Sequence, residues 1–502
     1  MRNAVINSTQ RSAGEAFIGD AVSATPLHPK FQFEPRSANV HADGGNTRTV
    51  DYPAPLGFDL NITSVNTPYT SFYWDAEDTM FSVYAGPCNG SATNIVQALT
   101  VVDPKTLEVQ AVWHPPAAYA KSQLNFVYMQ LLTDTGEIVL SNINGQIFIL
   151  KLCRDARATP SFEILRVIDL ESTGVLQNIT LLNSMMDAAG NVWFTTGVTP
   201  GVIAAATKNS TIMGYVEPNG TVHSLEMPNQ AVENGISLSN TTIFVVTGPS
   251  GEDDHANAVG FMHALRPGAG TSVEVVWNAT YQAGSRKKPN AFARGSGITP
   301  ALLGNDFVAL NDNSDDQSNL LVWAQNSTGK DPKPICTVPM FKPNGSWSDN
   351  AAMAHWDGKD YGVTVVNMYN ESSFQASQGD INDPYNNLTT QSPGISKFVV
   401  AGDGSGYHLE WTNPSRMTTD LMLSTKTGLL YGYDQSEELA NEGEYVWYTS
   451  AIDWRTGKTV WKARTGAGGS YNNFYRTTYL GPDGTLYQPV QGGLVLVKDG
   501  SH

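Results

Sequence analysis

The sequence predicts an all-β fold in which a four-stranded unit repeats around a ring. Residues 451–461 read as a strand, a tight Asp-x-x-Thr-Gly turn and a second strand ending in Trp, and residues 99–113 form a looser copy. The intervals between copies are roughly 50 to 70 residues, the spacing of propeller blades with long loops. Helical periodicity is almost absent. Partial copies of the unit end at Asp169, Met227, Trp277, Pro339 and Trp411.

Two more strand-like runs precede each copy, which makes four strands per unit. Examples are residues 183–187 with 191–196, and residues 297–303 with 306–310, each pair separated by a turn that contains Gly or Asn. Four strands per unit with recurring aromatic residues predict a β-propeller. Two stacked β-sandwiches are the alternative, but they explain neither the recurrent turn nor the end of the chain.

The end of the chain predicts how the ring closes. Seven full units end near residue 463, and the tail then supplies only three strands, at residues 474–480, 485–488 and 494–497. An unpaired edge is a liability, so we expect a fourth strand from the N-terminal part, within residues 31–52. The prediction is eight blades, with seven as the alternative. Residues 1–30 are an N-terminal extension, and residues 31–502 form a single propeller domain.

Composition limits the partners. The 502 residues are 15% charged and carry a formal net charge of −17, which disfavours phosphate backbones and anionic membranes. No window is apolar for long enough to span a membrane, and residues 1–10 contain no signal-peptide core. The composition therefore favours a small apolar substrate over nucleic acid or lipid, and it leaves the oligomeric state open.

Glycosylation sequons are about twice as frequent as residue frequencies give by chance. This density predicts a eukaryotic protein of the secretory pathway or the extracellular space, whose signal peptide was removed and replaced by Met1. The alternative is that a β-protein rich in Asn and Thr collects such sequons in its turns. The sequons begin at Asn7, Asn61, Asn89, Asn178, Asn209, Asn219, Asn240, Asn278, Asn326, Asn344, Asn370 and Asn387.

The cysteines are Cys88, Cys153 and Cys336. In an oxidising compartment this odd number allows one disulfide and one spare thiol. We expect Cys88 to pair with Cys153 because they lie in neighbouring repeats. Three buried, reduced thiols are the alternative.

Common catalytic signatures are absent from the sequence. It has no Gly-x-Ser-x-Gly, His-Glu-x-x-His or phosphate-binding loop followed by a helix, and its histidines show no paired spacing. The stretch 311–317 has enough oxygen ligands for calcium but lacks the Gly and Glu of an EF-hand loop. We therefore expect no metal site.

The unit at residues 451–461 resembles the repeat of quinoprotein-like β-propellers, a motif that is structural. The stretches 183–187 and 296–313 resemble blade-starting segments of secreted fungal and bacterial propellers. Within that group, the size and the sequons are similar to those of fungal hetero-Diels–Alderases of tropolonic sesquiterpene biosynthesis. No two cysteines are adjacent, unlike in quinone dehydrogenases. The resemblance implies a cofactor-independent cycloaddition of a tropolone quinone methide with a humulene-type alkene. The alternatives are a quinone- or metal-dependent oxidoreductase of the quinoprotein-like class and a non-catalytic propeller that binds glycans or another ligand.

A propeller has a predictable place for a ligand, because the first strand of each blade lines the central channel and the loops before these strands surround one mouth. Asn and Arg at these positions also suit turns and ion pairs between blades, so a structural role remains the alternative for each. The candidates read from these positions are Tyr73, Trp74, Asn125, Tyr128, Asn183, Met186, Glu233, Asn234, Arg294, Ser296, Asp349, Asn350, Arg416, Thr418, Asn473, Tyr475 and Arg476.

Such a lining suits a small apolar substrate with a polar, tropolone-like head. We assign Arg294 and Arg416 as donors to the tropolone oxygens, helped by Asn183 and Tyr475. Glu233 or Asp349 is the candidate acid for dehydration to the quinone methide. The remaining substrate-binding candidates are Tyr73, Trp74, Asn125, Tyr128, Met186, Asn234, Ser296, Asn350 and Arg476.

Overall fold

Eight small, mainly antiparallel sheets make up the computed structural model, which describes residues 13–88, 91–120, 122–154, 159–197, 209–270, 272–373 and 380–500. The fold is an all-β, eight-bladed propeller, as the sequence predicts. Two short α-helices, Leu170–Thr173 (α1) and Glu437–Asn441 (α2), lie between strands.

The strands before the first blade are Phe17–Gly19 (β1), Ser37–Ala38 (β2), Thr49–Val50 (β3) and Asn61–Val65 (β4). Blade 1 contains Tyr69–Trp74 (β5), Met80–Cys88 (β6), Ser91–Val102 (β7) and Val109–Trp113 (β8). Blade 2 contains Gln130–Leu132 (β9), Glu137–Ser141 (β10), Gln146–Cys153 (β11) and Ser161–Asp169 (β12). Blade 3 contains Leu181–Met186 (β13), Val192–Thr196 (β14), Ser210–Val216 (β15) and Val222–Pro228 (β16).

Blade 4 is formed around Gln230–Ala231 (β17), Ser237–Ser239 (β18), Thr242–Pro249 (β19), Val259–Pro267 (β20) and Val273–Gln282 (β21). Blade 5 contains Ala301–Leu303 (β22), Phe307–Asn311 (β23), Asn319–Ala324 (β24) and Cys336–Pro339 (β26), and Gly329–Lys330 (β25) joins β21 of blade 4. Blade 6 contains Met353–Trp356 (β27), Tyr361–Val366 (β28), Ile395–Val400 (β29) and Tyr407–Asn413 (β30).

Blade 7 contains Met422–Ser424 (β31), Leu429–Gln435 (β32), Val446–Asp453 (β33) and Thr459–Ala467 (β34), with β3 and β1 added at its inner and outer edges. Blade 8 contains Tyr479–Leu480 (β35), Leu486–Val490 (β36) and Gly493–Lys498 (β37), with β4 as its fourth strand.

The recurrent turn is built as the sequence predicts. The Asp453 carboxylate accepts the backbone N–H of Thr456 at 2.7 Å, and Gly457 has a φ of 69°. In the looser copy the carboxylate of Asp103 accepts the N–H of Thr106, and Leu107 takes the left-handed position with a φ of 57°. The partial copies end on or beside the fourth strands of their blades, so the repeat marks the outer edge of each blade.

Tryptophan of the repeat joins neighbouring blades. A Cβ added at Gly457 would lie 2.4 Å from the ring of Trp411, which belongs to blade 6, while the indole N–H of Trp411 donates to the Trp454 carbonyl of blade 7 at 3.0 Å. The turn of one blade therefore packs on the last strand of the blade before it.

An N-terminal strand closes the ring, but it lies outside the predicted window of residues 31–52. The strand is β4, which pairs antiparallel with β37 from Val65 opposite Leu494 to Asn61 opposite Lys498. The window contains β2 and β3, which extend the inner edges of blades 2 and 7 instead. Two-residue strands are too short to cover the edge of β37, whereas the five residues of β4 match it.

Residues 34–50, the central segment, fill the channel beside the inner strands. Backbone N–H groups of blades 4, 5, 6 and 7 donate to its carbonyls. The pairs are Leu238 to Gly44 (2.7 Å), Leu302 to Gly45 (2.8 Å), Ala354 to Thr47 (3.0 Å) and Leu423 to Arg48 (2.9 Å). Every residue from 43 to 50 is buried. The central segment thus binds the inner strands of four consecutive blades.

A buried ion pair holds the central segment at the axis. Nη2 of Arg48 lies 2.9 Å from the Asp420 carboxylate, and Nη1 of Arg48 donates to the Ala351 carbonyl. His41 contacts the same guanidinium at 3.1 Å, and burial lowers the pKa of this imidazole well below its usual value. Breaking such a buried pair by removing one partner typically costs about 3 to 5 kcal/mol.

Residues 17–27 lie along blade 7. β1 pairs with β34, and the N–H groups of Thr25 and Leu27 donate to Thr427 and Thr425. Among the described residues no helix has the length and apolarity needed to cross a membrane.

Candidate functional site

A loop between blades 4 and 5 lies over the mouth at which the inner strands begin, here called the front mouth. This loop, residues 284–297, is named the cover loop. Asn290 donates to the carbonyl of Ser372 at 3.3 Å and to the hydroxyl of Tyr475. Phe292 and Ala293 donate their backbone N–H groups to Glu233. The cover loop is therefore attached to blades 4, 6 and 8.

Lys288 fixes the middle of the cover loop inside the protein. Its ammonium group is 1% exposed and donates to the carbonyls of Ser296 at 2.7 Å and Ser348 at 2.6 Å. The third neighbour is the carboxylate of Asp349, at 3.3 Å. An ammonium group has three protons to donate, so Lys288 has little capacity left for a ligand.

Three acidic side chains, Glu233, Asp349 and Glu371, form the carboxyl cluster at the front mouth. Glu233 accepts the N–H of Phe292 at 2.6 Å and that of Ala293 at 3.1 Å. Burial, and then the charge of Asp349, raise the pKa of Glu233 to about 8 against an ordinary value of 4.5. Glu233 therefore holds a proton near neutral pH, in spite of the two N–H donors.

Glu371 is the most enclosed member of the carboxyl cluster, with 5% of its surface exposed. It faces the hydroxyl of Tyr475 and the amide of Asn290. Burial, followed by the charge of Asp349, raises the pKa of Glu371 well above its usual value, and burial also raises the pKa of Tyr475. Tyr475 is therefore a neutral hydrogen-bond donor at neutral pH, and Glu371 binds its proton more tightly than an exposed glutamate does.

The balance of charge defines the chemistry of the front mouth. Three carboxyl groups share the single ammonium of Lys288, and burial raises the pKa of Asp349 as well. Ionising all three in a site of low polarity would leave net negative charge without compensation. The carboxyl cluster therefore stores protons, and it can act as a general acid.

Asn234 links the walls of the front mouth. Its side-chain oxygen accepts hydrogen bonds from the Tyr128 hydroxyl at 3.0 Å and from Thr299 at 2.7 Å. Its amide donates to the Gly297 carbonyl of the cover loop at 3.0 Å. The predicted residues Tyr128, Glu233, Asn234 and Tyr475, with Asp349, thus belong to one connected network.

Aromatic side chains that keep part of their surface exposed accompany this network. Phe292 lies on the cover loop, and the rings of Phe474 and Tyr475 are 5.8 Å apart, edge to face. Phe126 and Tyr128 come from the turn before β9, and both are partly exposed. Such rings provide apolar contact area for the body of a ligand.

Arg294 and Arg416 are structural, which corrects their assignment as oxyanion donors. Arg294 is buried; it pairs with Asp254 at 2.7 Å and also donates to the carbonyls of His255 and Gly284. Arg416 pairs with Glu437 and donates to the Gln391 carbonyl at 2.7 Å. Each guanidinium nitrogen of Arg294 already has a protein acceptor, and Nε and Nη1 of Arg416 have theirs, so both side chains hold the structure together.

Four polar candidates also serve the fold rather than a ligand, since their side chains hydrogen-bond to strands around the channel. Asn183, assigned as catalytic, is 1% exposed and bonds to Thr195 and to the Asn234 carbonyl. The other three donate to backbone carbonyls: Asn125 to Leu181, Ser296 to Asn311 and Asn350 to Thr419.

Tyr73, Trp74 and Met186 lie at or near the far ends of their inner strands, away from the front mouth. Tyr73 and Trp74 border a cavity of about 80 Å³ beside the central segment, lined also by Arg36, Tyr52 and Tyr479. Met186 ends β13, and its backbone N–H donates to Gln130. The alternation of side chains along a strand does not tell which end of the strand faces the front mouth. The sequence analysis therefore placed these three residues at the wrong end of their strands.

Lys288, Asn290 and Glu371 were missed by sequence reasoning. Each lies in a long connection between strands, residues 283–300 and 367–394. Connections of this length are unusual and often functional. Their length was therefore the signal by which sequence reasoning could have found these residues.

Cys153 is a free thiol that contacts Glu163 at 3.5 Å, and the side chain of Cys88, its predicted disulfide partner, lies outside the described residues. Cys336 is also free, and it is buried. A buried thiol packs as a small apolar side chain, in line with the alternative interpretation for Cys336.

The acidic stretch 311–317 forms a hydrogen-bonded turn. The Asp312 carboxylate accepts the N–H of Asn319 at 2.7 Å and the hydroxyl of Ser314 at 2.7 Å, while Asp315 accepts that of Ser285. In the described part of the chain, no group of three His, Cys, Asp or Glu is placed to hold a metal ion.

The sequon asparagines within the described residues all keep surface exposed, as carriers of glycans must. Asn7 and Asn89 lie outside the described residues. Asn278 and Asn387 are partly exposed. The exposed ones are Asn61, Asn178, Asn209, Asn219, Asn240, Asn326, Asn344 and Asn370.

Known proteins are similar to this chain mainly in fold. No protein-family model matches it. It is 27% identical to an uncharacterised protein of Archaeoglobus fulgidus over 325 residues, 59% of this chain and 58% of that protein. The chain thus matches less than two thirds of that relative's length.

Two solved structures cover most of the chain. The quinohemoprotein alcohol dehydrogenase of Comamonas testosteroni covers 93% of this chain, and this chain covers 81% of it, with a TM-score of 0.53 and 12% identity. The Dos1 propeller covers 98% of this chain, and this chain covers 96% of it, with a TM-score of 0.40 and 11% identity. The likeness to the dehydrogenase supports the eight-bladed β-propeller fold, and a fold alone does not define a function.

Proposed function

We propose that this chain is a cofactor-independent enzyme that joins a tropolone quinone methide to a humulene-type sesquiterpene alkene by hetero-Diels–Alder cycloaddition. The carboxyl cluster carries the proposal, because a buried proton store suits formation of the quinone methide by dehydration. The resemblance of the sequence to fungal hetero-Diels–Alderases supplies the substrate class.

In the dehydration, Glu233 donates its proton to the hydroxymethyl oxygen of the tropolone, and water leaves as the C–O bond breaks. The adjacent tropolone hydroxyl loses its proton to the Glu233 carboxylate, so that charge and atoms balance. The alkene then adds across the oxygen and the exocyclic carbon, forming one C–O and one C–C bond without a leaving group.

The front mouth supports this reaction in two further ways. Its partly exposed aromatic rings offer contact area for an apolar terpene, and the cover loop shields the intermediate from water. Holding two reactants in a near-attack arrangement replaces several kcal/mol of translational and rotational entropy cost.

A quinone-dependent oxidoreductase is the second candidate on fold alone, and the front mouth disfavours it. Pyrroloquinoline quinone carries three carboxylates, which need cations around them. Three carboxyl groups lie here instead, and the ammonium of Lys288 is already bonded to Ser296, Ser348 and Asp349. Besides Lys288, the described residues of this mouth offer the guanidinium of Arg476, and one such cation is too few for three carboxylates, so the donor set does not fit that group.

The test is product analysis with a hydroxymethyl tropolone and humulene. We expect the wild-type protein to form one enantiomer of the adduct, and Glu233→Gln to slow its formation by about 10². Glu274→Gln, the same change in an exposed ion pair with Arg266, should keep the wild-type rate. Racemic adduct formed at the rate seen in buffer would contradict the proposal.

A quinone methide released photochemically from a masked precursor separates the two steps. If Glu233 acts only in the dehydration, the Gln variant should then recover the wild-type rate and enantiomer. A variant that stays slow would place Glu233 in the cycloaddition instead.

We also propose that the protein passes through the secretory pathway and is glycosylated, because the described sequon asparagines keep surface exposed.

A further inference from the structure

A turn with two left-handed residues leads into the inner strand of blade 8. Phe474 has a φ of 52° and Tyr475 a φ of 60°. A residue other than glycine in this left-handed conformation costs about 1 to 3 kcal/mol, which surrounding contacts must offset. Here the Asn472 side chain accepts the N–H of Phe474 at 2.9 Å, and the carbonyl of Asn473 accepts that of Arg476 at 3.1 Å.

The turn places neighbouring side chains in contrasting environments. Tyr475 faces Glu371 and Asn290 in the carboxyl cluster. Arg476 follows it directly, with its own carbonyl fixed by the hydroxyl of Thr419 at 2.9 Å. The guanidinium of Arg476 therefore starts from a rigid backbone position at the front mouth.

Arg476 has no side-chain hydrogen bond or ion pair with any residue that the structure describes, and it is only partly exposed. The enclosed arginines elsewhere in the fold differ. Arg48 pairs with Asp420, Arg294 with Asp254 and Arg416 with Glu437. Because enclosing a cation without a partner is costly, an unpaired guanidinium beside a strained turn indicates a ligand.

We propose that Arg476 binds a planar, singly charged acid through two adjacent oxygens, as in the anion of a tropolone. The guanidinium fork matches such an oxygen pair, and a single delocalised charge is tolerated near the carboxyl cluster because Lys288 is paired with Asp349 and Glu233 holds its proton near neutral pH. The inference rests on the proposed function only in taking the front mouth as the substrate site.

The experiment measures binding of tropolone and of its O-methyl ether, which has no acidic proton, to the full chain without any alkene. We expect Arg476→Gln to weaken tropolone binding by about 10- to 100-fold and to leave binding of the ether unchanged. Arg476→Lys should retain an intermediate affinity, because it keeps the charge but loses the fork. Arg266→Gln, in an exposed pair with Glu274, is the matched control and should change neither.

Equal losses for both ligands, or no loss for tropolone, would overturn the inference. Thermal melting supplies a second check, because a residue without a described partner should not support the fold. An unchanged melting temperature of Arg476→Gln supports the ligand role, and a drop of several degrees overturns it.

These outcomes are separate from the proposed function. Tropolone binding that depends on Arg476, without any adduct from wild-type protein and humulene, would keep the inference and refute the cycloaddition. A single adduct enantiomer formed equally well by wild type and Arg476→Gln would keep the cycloaddition and refute the inference.

Discussion

Replacing Glu233 with Gln should change how stability depends on pH. A carboxyl group whose pKa rises on folding binds its proton more tightly in the folded state, so stability falls as pH rises between the two values. For Glu233 this window runs from about 4.5 to about 8. At 1.36 kcal/mol per pKa unit, the wild-type protein loses up to roughly 5 kcal/mol across it.

The Gln variant is neutral throughout and lacks this loss. Its side-chain oxygen can accept only one of the two cover-loop N–H groups, from Phe292 or Ala293, which costs about 1 kcal/mol at every pH. We therefore expect the variant to be slightly less stable than wild type at pH 5 and more stable at pH 9.

Thermal denaturation between pH 5 and pH 9 measures the effect. For a chain of this length 1 kcal/mol corresponds to about 1 °C, so the difference between variant and wild type should change by about 4 °C. Glu274→Gln, an exposed glutamate, is the control and should run parallel to wild type over this range. If the melting temperatures of Glu233→Gln and wild type change in parallel with pH, the pKa of Glu233 is not raised and the carboxyl cluster does not store a proton.

Four other predictions address the fold and its processing. Deleting residues 1–52 should abolish soluble folding, because it removes the central segment and leaves Asp420 buried without its cation; soluble protein with unchanged melting would contradict this. Gly457→Ala should lower stability by about 2 kcal/mol or more in denaturant titration, while Gly136→Ala, with the same φ of 69° and open space around it, should cost less. Arg294→Ala should lower the melting temperature by a few degrees without a selective loss of turnover, and a loss of rate at unchanged melting would restore its catalytic role. Protein made in a eukaryotic host should lose apparent mass on glycosidase treatment, and no shift would remove the main support for a secretory route.

Local features of the sequence predicted the fold well. The hydrogen bond of the Asp-x-x-Thr-Gly turn joins residues three apart, so it follows from the local sequence itself. The need for a partner at the last edge likewise predicted ring closure. The sequence did not show which N-terminal residues supply this strand. The choice depends on the length of the β37 edge and on the course of the central segment, whose sequence has no repeating pattern.

The site was predicted only in part, for reasons of distance along the chain. Glu233 and Tyr475 precede inner strands and lie at the front mouth as expected. Arg294 occupies an equivalent position, but its partner Asp254 lies on another blade, and no local pattern indicates that pair. The ammonium of Lys288 reaches the axis because the cover loop folds back over the channel, which depends on tertiary structure.

The position of the central segment imposes an order on biosynthesis. Residues 34–50 are made before their partners in blades 4 to 7, and β4 is made long before its partner β37. The pairing of β2 with β9 of blade 2 can form early, but the hydrogen bonds from blades 4 to 7 to residues 44–48 must wait until those blades are made. Ring closure by β4 waits longer still, and a ribosome that stalls before residue 493 leaves a chain that cannot complete it.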